Sequence, residues 1–328
     1  MSTCYDIRMK KIFYTYIVVL CLATPRLSHG AVSDLVWVKS LAYTNSELIV
    51  KGGLDGYVYI SGGVSGTTDL DLGSDTVSVT SAGYRDAFVA KYTPSGTLVW
   101  VKTIGGTSDE APKDIQIDSS GNVYVIMDFV GDSTVDIDPT GSTVTVVPPG
   151  GGDMLVAKLN SSGVIQWGKI FGDAAANHGF GLGLTSDGIV ISGFTQGTFD
   201  LDQTAGTTTP AFNGQYDIFT VKLDTSGTFV WGNMIGGALD DRPTKLATDA
   251  SDNVYLLGYF SDTMDADPGV GTTTITPVGG QDVFLLKLES DGSFAWVKTW
   301  GGDALDEGED IAIDGSQNVY ITFNAHST

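Results

Sequence analysis

An all-β fold made of repeated four-stranded units, a β-propeller, is what this sequence predicts, and three observations carry that reading. The first is composition: of 328 residues 43 are Gly, 42% are hydrophobic and 17% are charged. Many Gly, Thr, Ser and Val with few Lys, Arg and Glu make poor helices and good strands and turns. The second is the spacing of Trp37, Trp100, Trp167, Trp231 and Trp296, which recur every 63, 67, 64 and 65 residues. The third is a set of fixed offsets around them. Asp86, Asp153, Asp217 and Asp282 are each followed by Lys after 5 residues, Gly after 10 and Trp after 14, and Gly105, Gly172, Gly236 and Gly301 follow their Trp by 5. Self-similarity at a fixed period is the mark of a repeat architecture.

The elements follow in chain order. Met9-Lys10-Lys11, an apolar run from Ile12 to Ala23 and the small residues Ser28 and Gly30 predict a secretory signal over residues 1–30, cleaved after Gly30. Its twelve apolar residues are too few to cross about 30 Å of hydrocarbon, so no membrane insertion is expected after cleavage. Residues 31–328 form the repeat domain. It opens on a strand D (Leu35–Leu41). The next copy shows the full unit: strand A at Lys113–Asp118, B at Asn122–Phe129, C at Met154–Leu159 and D at Val164–Ile170. Tight turns, Asp118-Ser-Ser-Gly121 and Asn160-Ser-Ser-Gly163, join A to B and C to D. Strand faces that are apolar on both sides suit small sheets packed between neighbours, as in a propeller. The Trp residues are expected to pack between blades. The last strand, Asn318–Phe323, is a strand B. The count is four full blades of about 65 residues and a partial fifth with strands D, A and B but no C. Such a gap would expose strand edges, so the ring is expected to be truncated at the carboxy terminus, with at least five blades in the whole.

The repeating pattern Asp-x-Phe-x-x-Lys, then Ser-Gly-x-x-x-Trp, then Gly-Gly and Asp-x-Ser-Gly-Asn-Val-Tyr, resembles the bacterial SBBP repeat over residues 35–323. That resemblance implies a β-propeller in an exported or cell-surface protein. It implies no one activity, because the family has none assigned. The third copy departs from the pattern, with Thr185 where Asp118, Asp249 and Asp314 stand and Ile191 in place of Tyr, and is expected to be looser.

Charge limits the partners. The chain has 17 Lys+Arg against 39 Asp+Glu, a net of -22. Such a surface repels nucleic acid and anionic membranes and leaves cations, neutral sugars and basic proteins. Cys4 and Cys21 both lie in the leader, and only His178 and His326 follow it. A Cys/His zinc site and a His-dependent triad are therefore excluded from the exported chain.

Binding is expected at the blade end that carries the long B–C and D–A loops, since long loops on a rigid scaffold are where recognition resides. Repeated acids lie there. The Asp-x-Asp pairs Asp69/Asp71, Asp136/Asp138, Asp200/Asp202 and Asp265/Asp267 each begin 17 residues before a strand-C Asp, and Glu110, Asn177, Asp241 and Asp306 each follow a Trp by 10. An acidic face is expected. Paired loop carboxylates suit calcium, the candidate cofactor, and those eight Asp are the candidate metal ligands. The EF-hand pattern fails, with Thr80, Val147, Ala211 and Thr276 where a bidentate Glu would stand. The competing reading is that the Asp side chains accept backbone N–H bonds in turns.

No catalytic or cofactor-binding residue is assigned. The Gly-x-x-x-Trp step is similar to that of quinoprotein dehydrogenase propellers, but the exported chain lacks their disulfide. Paired carboxylates could serve a polysaccharide lyase or hydrolase, yet every blade carries the same pair, which argues for structure. The expectation is a non-enzymatic, exported binding or scaffold module. Its location is secreted, periplasmic or at the cell surface, and its partner is a surface glycan or an extracellular protein. The alternative is a propeller enzyme of one of the two kinds just named.

Overall fold

The structure, a computed structural model, describes residues 16–22, 35–42, 48–130, 135–137, 145–146, 150, 152–204 and 206–326. Every regular element among them is a strand. The core of the fold is four antiparallel four-stranded sheets, each in the order A-B-C-D. The first sheet is Ile49–Gly52, Val58–Val64, Asp86–Tyr92 and Leu98–Ile104. The second is Asp109–Ile117, Val123–Val130, Asp153–Leu159 and Ile165–Phe171. The third is Asn177–Thr185, Gly188–Thr195, Asp217–Asp224 and Phe229–Ile235, and the fourth is Arg242–Thr248, Val254–Phe260, Asp282–Leu288 and Phe294–Trp300.

Chemistry sets this order. Strands B and C are apolar on both faces and take the two central places, where Val58–Val64 and Asp86–Tyr92 are buried throughout. Strand D takes an edge and is only partly covered. The A–B turn is fixed by its first residue: Asp118 Oδ1 accepts the N–H groups of Ser120 and Asn122, both at 2.9 Å, and its Oδ2 accepts Asn122 Nδ2 at 2.7 Å. Asp249 and Asp314 repeat this network.

The third repeat is not looser. All eight residues of its strand B are buried, and Gly188 to Thr195 pair without a break against Asp224 to Asp217. Without a strand-B Tyr to cover it, the Lys222 ammonium pairs instead with Asp187 at 2.9 Å.

Five two-stranded pairs accompany the four sheets among the described residues; three are short ladders within the long loops and two are longer. Glu307–Ile313 and Val319–Asn324 form the expected A–B hairpin. The expected strand D, Leu35–Ala42, runs antiparallel to Tyr16–Leu22, with Tyr16 opposite Ala42. Residues Tyr16–Leu22 of the expected leader's apolar run are thus a strand here, as the β-branched Ile17-Val18-Val19 favours. The expected cleavage point after Gly30 lies outside the described residues. Both of these longer pairs stay separate two-stranded sheets. No helix among the described residues is long and apolar enough to cross a membrane.

The chain divides into two compact units, residues 1–147 with 156–168 and residues 148–155 with 169–328. In the first, Val58, Ile60, Leu70, Phe88 and Tyr92 form a core cluster. In the second, Ile218, Leu256, Phe260, Phe284 and Leu286 do. Phe88, Phe219 and Phe284 each stand two residues after a strand-C Asp and are wholly buried. Truncating one such Phe to Ala typically costs about 3–5 kcal/mol.

Candidate functional site: the long-loop end of the sheets

The two ends of each sheet do different work. At the tight-turn end, the strand-D Trp meets the next repeat. Trp100 Nε1 donates to Ser161 O at 3.1 Å, and a Cβ on Gly163 would fall against the Trp100 ring. Trp231 makes the same contacts with Ser290 O, also at 3.1 Å, and with Gly292. Within three of the repeats, Lys and Tyr complete a stack. Lys91, Lys158 and Lys287 lie 5.1, 5.1 and 5.5 Å from the ring centres of Tyr59, Tyr124 and Tyr255, and those rings meet Trp100, Trp167 and Trp296 at 6.3, 6.1 and 6.1 Å. Trp100 and Trp231 thus pack between repeats, as the sequence predicts.

At the long-loop end, the repeated Gly-Gly step is held between two acids. The strand-C Asp lies against the first Gly: a Cβ on Gly105, Gly236 or Gly301 would run into the carboxylate of Asp86, Asp217 or Asp282. The acid ten residues after the Trp reaches back to the second Gly. Gly106 N–H donates to Glu110 at 3.2 Å, Gly237 N–H to Asp241 at 2.6 Å and Gly302 N–H to Asp306 at 2.9 Å. Asn177 replaces the acid in the third copy and donates through Nδ2 to Asp173 and to Ala175 O, both at 3.0 Å. Main-chain bonds close the arrangement, with Glu110 N–H to Arg85 O at 2.8 Å and Asp241 N–H to Tyr216 O at 3.1 Å.

Part of the expected acidic face is therefore not open. Glu110, Asn177, Asp241 and Asp306 are buried, as are the strand-C Asp residues. One oxygen each of Asp86, Glu110, Asp217 and Asp282 has no hydrogen-bond partner among the described residues. Burial pushes the Glu110 carboxyl up to about 7; the nearby Asp86 and Asp109 add to the rise, while the Gly106 N–H and Arg85 oppose it. Burial likewise raises Asp217 to about 6, helped by Asp241, and it raises Asp86 and Asp241 as well. A carboxyl without water or a cation favours its neutral form.

The Asp-x-Asp pairs stay nearer solvent, and the residue between the two acids is the anchor. Leu70, Ile137, Leu201 and Ala266 are buried. The first acid bridges its loop: Asp69 Oδ1 accepts from the N–H of Asp71 at 3.0 Å and Val77 at 2.9 Å, Asp200 Oδ1 from Asp202 at 3.0 Å and Thr208 at 2.7 Å, and Asp265 Oδ1 from Asp267 at 3.0 Å and Thr273 at 2.8 Å. The second acid closes a smaller turn, Asp202 with Thr204 N–H at 2.8 Å, Asp267 with Gly269 N–H at 2.8 Å, and Asp71 with Gly73 N–H. Asp136 pairs through its main chain with Gly105, whereas Asp138 lies outside the described residues. Among the described residues no three His, Cys, Asp or Glu side chains converge as a metal centre would need.

One cluster at this end does not repeat. Arg242 stacks on Phe194 and Tyr216, its guanidinium carbon 4.6 and 4.3 Å from the ring centres, and its Nε donates to Asp240 at 2.7 Å. His178 and Phe180 flank Phe194 at 4.9 and 5.5 Å. Reading the repeats by what they share passed over this cluster. The signal that marks it is difference, since Ala111 and Glu307 stand where Arg242 does, 11 residues after a Trp.

No protein-family model matches the chain. It is similar to the Regulatory protein FlaEY of Caulobacter vibrioides, 24% identical over 265 residues that cover 76% of this chain and 27% of that protein. It is also similar to an uncharacterized WD repeat-containing protein, L264, of Acanthamoeba polyphaga mimivirus, 23% identical over 326 residues that cover 81% of this chain and 23% of that protein. The chain spans about a quarter of the length of these curated relatives. With its all-β repeats, the similarity to a WD-repeat protein and a regulatory protein fits a repeat scaffold or binding module.

Proposed function

We propose that this chain is a β-propeller module of SBBP type, exported by its amino-terminal leader, which binds or scaffolds a surface glycan or an extracellular protein through its long-loop end. One observation carries the reading: the side chains that repeat are spent on the fold itself. Trp covers the next turn, Lys and Tyr stack beneath it in three repeats, and the buried acids hold the Gly-Gly step, which supports a fold role for these side chains over a catalytic one. The printed name of the Caulobacter relative, a regulatory protein, also suits a module that acts by binding. Calcium belongs to this proposal as the ion the Asp-x-Asp loops would take, through the carboxylate oxygens that the turns do not use.

A glycan array and a pull-down from a surface fraction test the reading, with secretion of a tagged full chain as the test of export. Binding without turnover supports it. Failure to bind, together with turnover of a polysaccharide or oxidation of an alcohol, would make the chain an enzyme.

A further inference from the structure

Symmetry makes the repeats alike, so a site for one ligand must lie where one repeat departs from the others. The exported part of the chain has two arginines, Arg85 and Arg242, and they are used differently. The Arg85 fork is closed: Nε and Nη2 both donate to Asp109, at 2.5 and 3.1 Å. Arg242 gives only its Nε to Asp240. Its two Nη groups have no partner among the described residues, nor do the hydroxyls of Tyr216 and Tyr259. Tyr259 faces Arg242 across the strand pair, and all three side chains are half-buried.

Such an arginine is already ordered. An ion pair on one edge and two rings on its face hold the guanidinium plane, so a ligand that docks on the free edge loses little side-chain entropy. The surroundings choose the ligand. Three acids, Asp240, Asp241 and Glu307, surround Tyr259 alongside the one cation Arg242, and Asp240 already pairs with it, which disfavours a further carboxylate or sulfate. Hydroxyl groups fit better, because they accept from the guanidinium and phenol donors while a ring C–H face lies against Tyr216 and Phe180.

We propose that Arg242, Tyr216 and Tyr259 form the binding site for a neutral saccharide ring at the long-loop end of the third and fourth repeats. This rests on the reading of that end as the recognition surface and names its ligand class. Saturation-transfer NMR and calorimetry on the full chain, with malto-, cello-, manno- and chito-tetraoses and trigalacturonate as the charged control, test it. At least one neutral tetraose should bind at least tenfold more tightly than trigalacturonate. Arg242→Lys, which keeps the charge and loses the fork, should weaken it at least tenfold. Tyr216→Phe and Tyr259→Phe, which keep the rings and so the packing, should each weaken it about three- to tenfold. Equal binding by the three variants and the parent, tighter binding of trigalacturonate, or no binding of any tetraose would each overturn the site. Capture of a protein partner unaffected by Arg242→Lys would do so while leaving the wider binding reading intact.

Discussion

The indole of Trp231 lies over Gly292 of the following repeat, and its Nε1 donates to Ser290 O at 3.1 Å. Gly292 has φ 83°, a left-handed backbone that also suits Gly96, Gly163 and Gly227 at the same place in the other repeats. The repeated Gly therefore answers two demands, the turn and the ring. Gly56 separates them, because it has φ 82° and nothing within 4 Å of a Cβ. Gly56→Ala should cost about 1 kcal/mol, the backbone strain alone. Gly292→Ala should cost about 3 kcal/mol, since Trp231 must also move. Urea unfolding of both variants checks this, and equal losses would mean that the stack contributes nothing.

Stability should fall as pH rises from 5 to 8. The Glu110 and Asp217 carboxyls are raised in the fold to about 7 and about 6, from ordinary values of 4.5 and 3.8. A group raised in this way binds its proton more tightly when folded. Its stabilisation is fully present below the unfolded value and is lost as pH climbs through the folded one. For Glu110 the rise corresponds to about 3 kcal/mol. Glu110→Gln keeps the shape, much as Asn177 does in its own repeat, and should flatten the urea midpoint between pH 5 and 8. An unchanged pH profile in that variant would remove Glu110 as the cause.

Asp55 responds to pH in the opposite sense. Burial raises the Asp55 carboxyl, but hydrogen bonds from Lys91, Tyr59 and the Tyr57 N–H outweigh it and hold the carboxyl below its usual range. Its contribution is present above the ordinary carboxylate value and is lost as pH falls below it. Lys91 pairs with Asp55 at 2.9 Å and is almost fully covered. Asp55→Ala strands that ammonium and should cost about 2–3 kcal/mol at pH 7, whereas Asp55→Ala with Lys91→Met should recover part of the loss. A thermodynamic cycle over the single and double variants reads the coupling directly.

Much of this fold was legible because its constraints repeat at short range. Trp, Gly and Lys recur at fixed offsets because each strand pair needs them, so four sheets and their turns could be counted from the chain. The role of the acids was less legible. Glu110 and Asp241 look like loop residues in the sequence, yet each is buried and turned back onto a Gly N–H only four residues before it, Gly106 and Gly237. The pairing of Tyr16–Leu22 with Leu35–Ala42 was hidden for another reason, since an apolar run reads equally as a leader or as a strand. Arg242 escaped because an alignment of repeats rewards sameness.

The Asp-x-Asp loops offer the last test, because one substitution distinguishes a turn residue from a metal ligand. Asp200 Oδ1 accepts two main-chain N–H groups, from Asp202 and Thr208, and so ties the loop across the buried Leu201. Asparagine keeps a carbonyl oxygen at that place and removes the charge. Asp200→Asn should therefore change stability by less than about 0.5 kcal/mol, while Asp200→Ala, which loses both bonds, should cost about 1–2 kcal/mol. Calcium separates the two roles when ionic strength is held constant, so that simple screening is equal in every sample. A loop that holds the ion gains melting temperature with calcium and not with sodium, because a ligand bound only to the folded state stabilises it. Asp200→Asn with Asp202→Asn would then blunt the gain while leaving the turn in place. Identical melting curves in the two salts would assign these carboxylates to the turns alone.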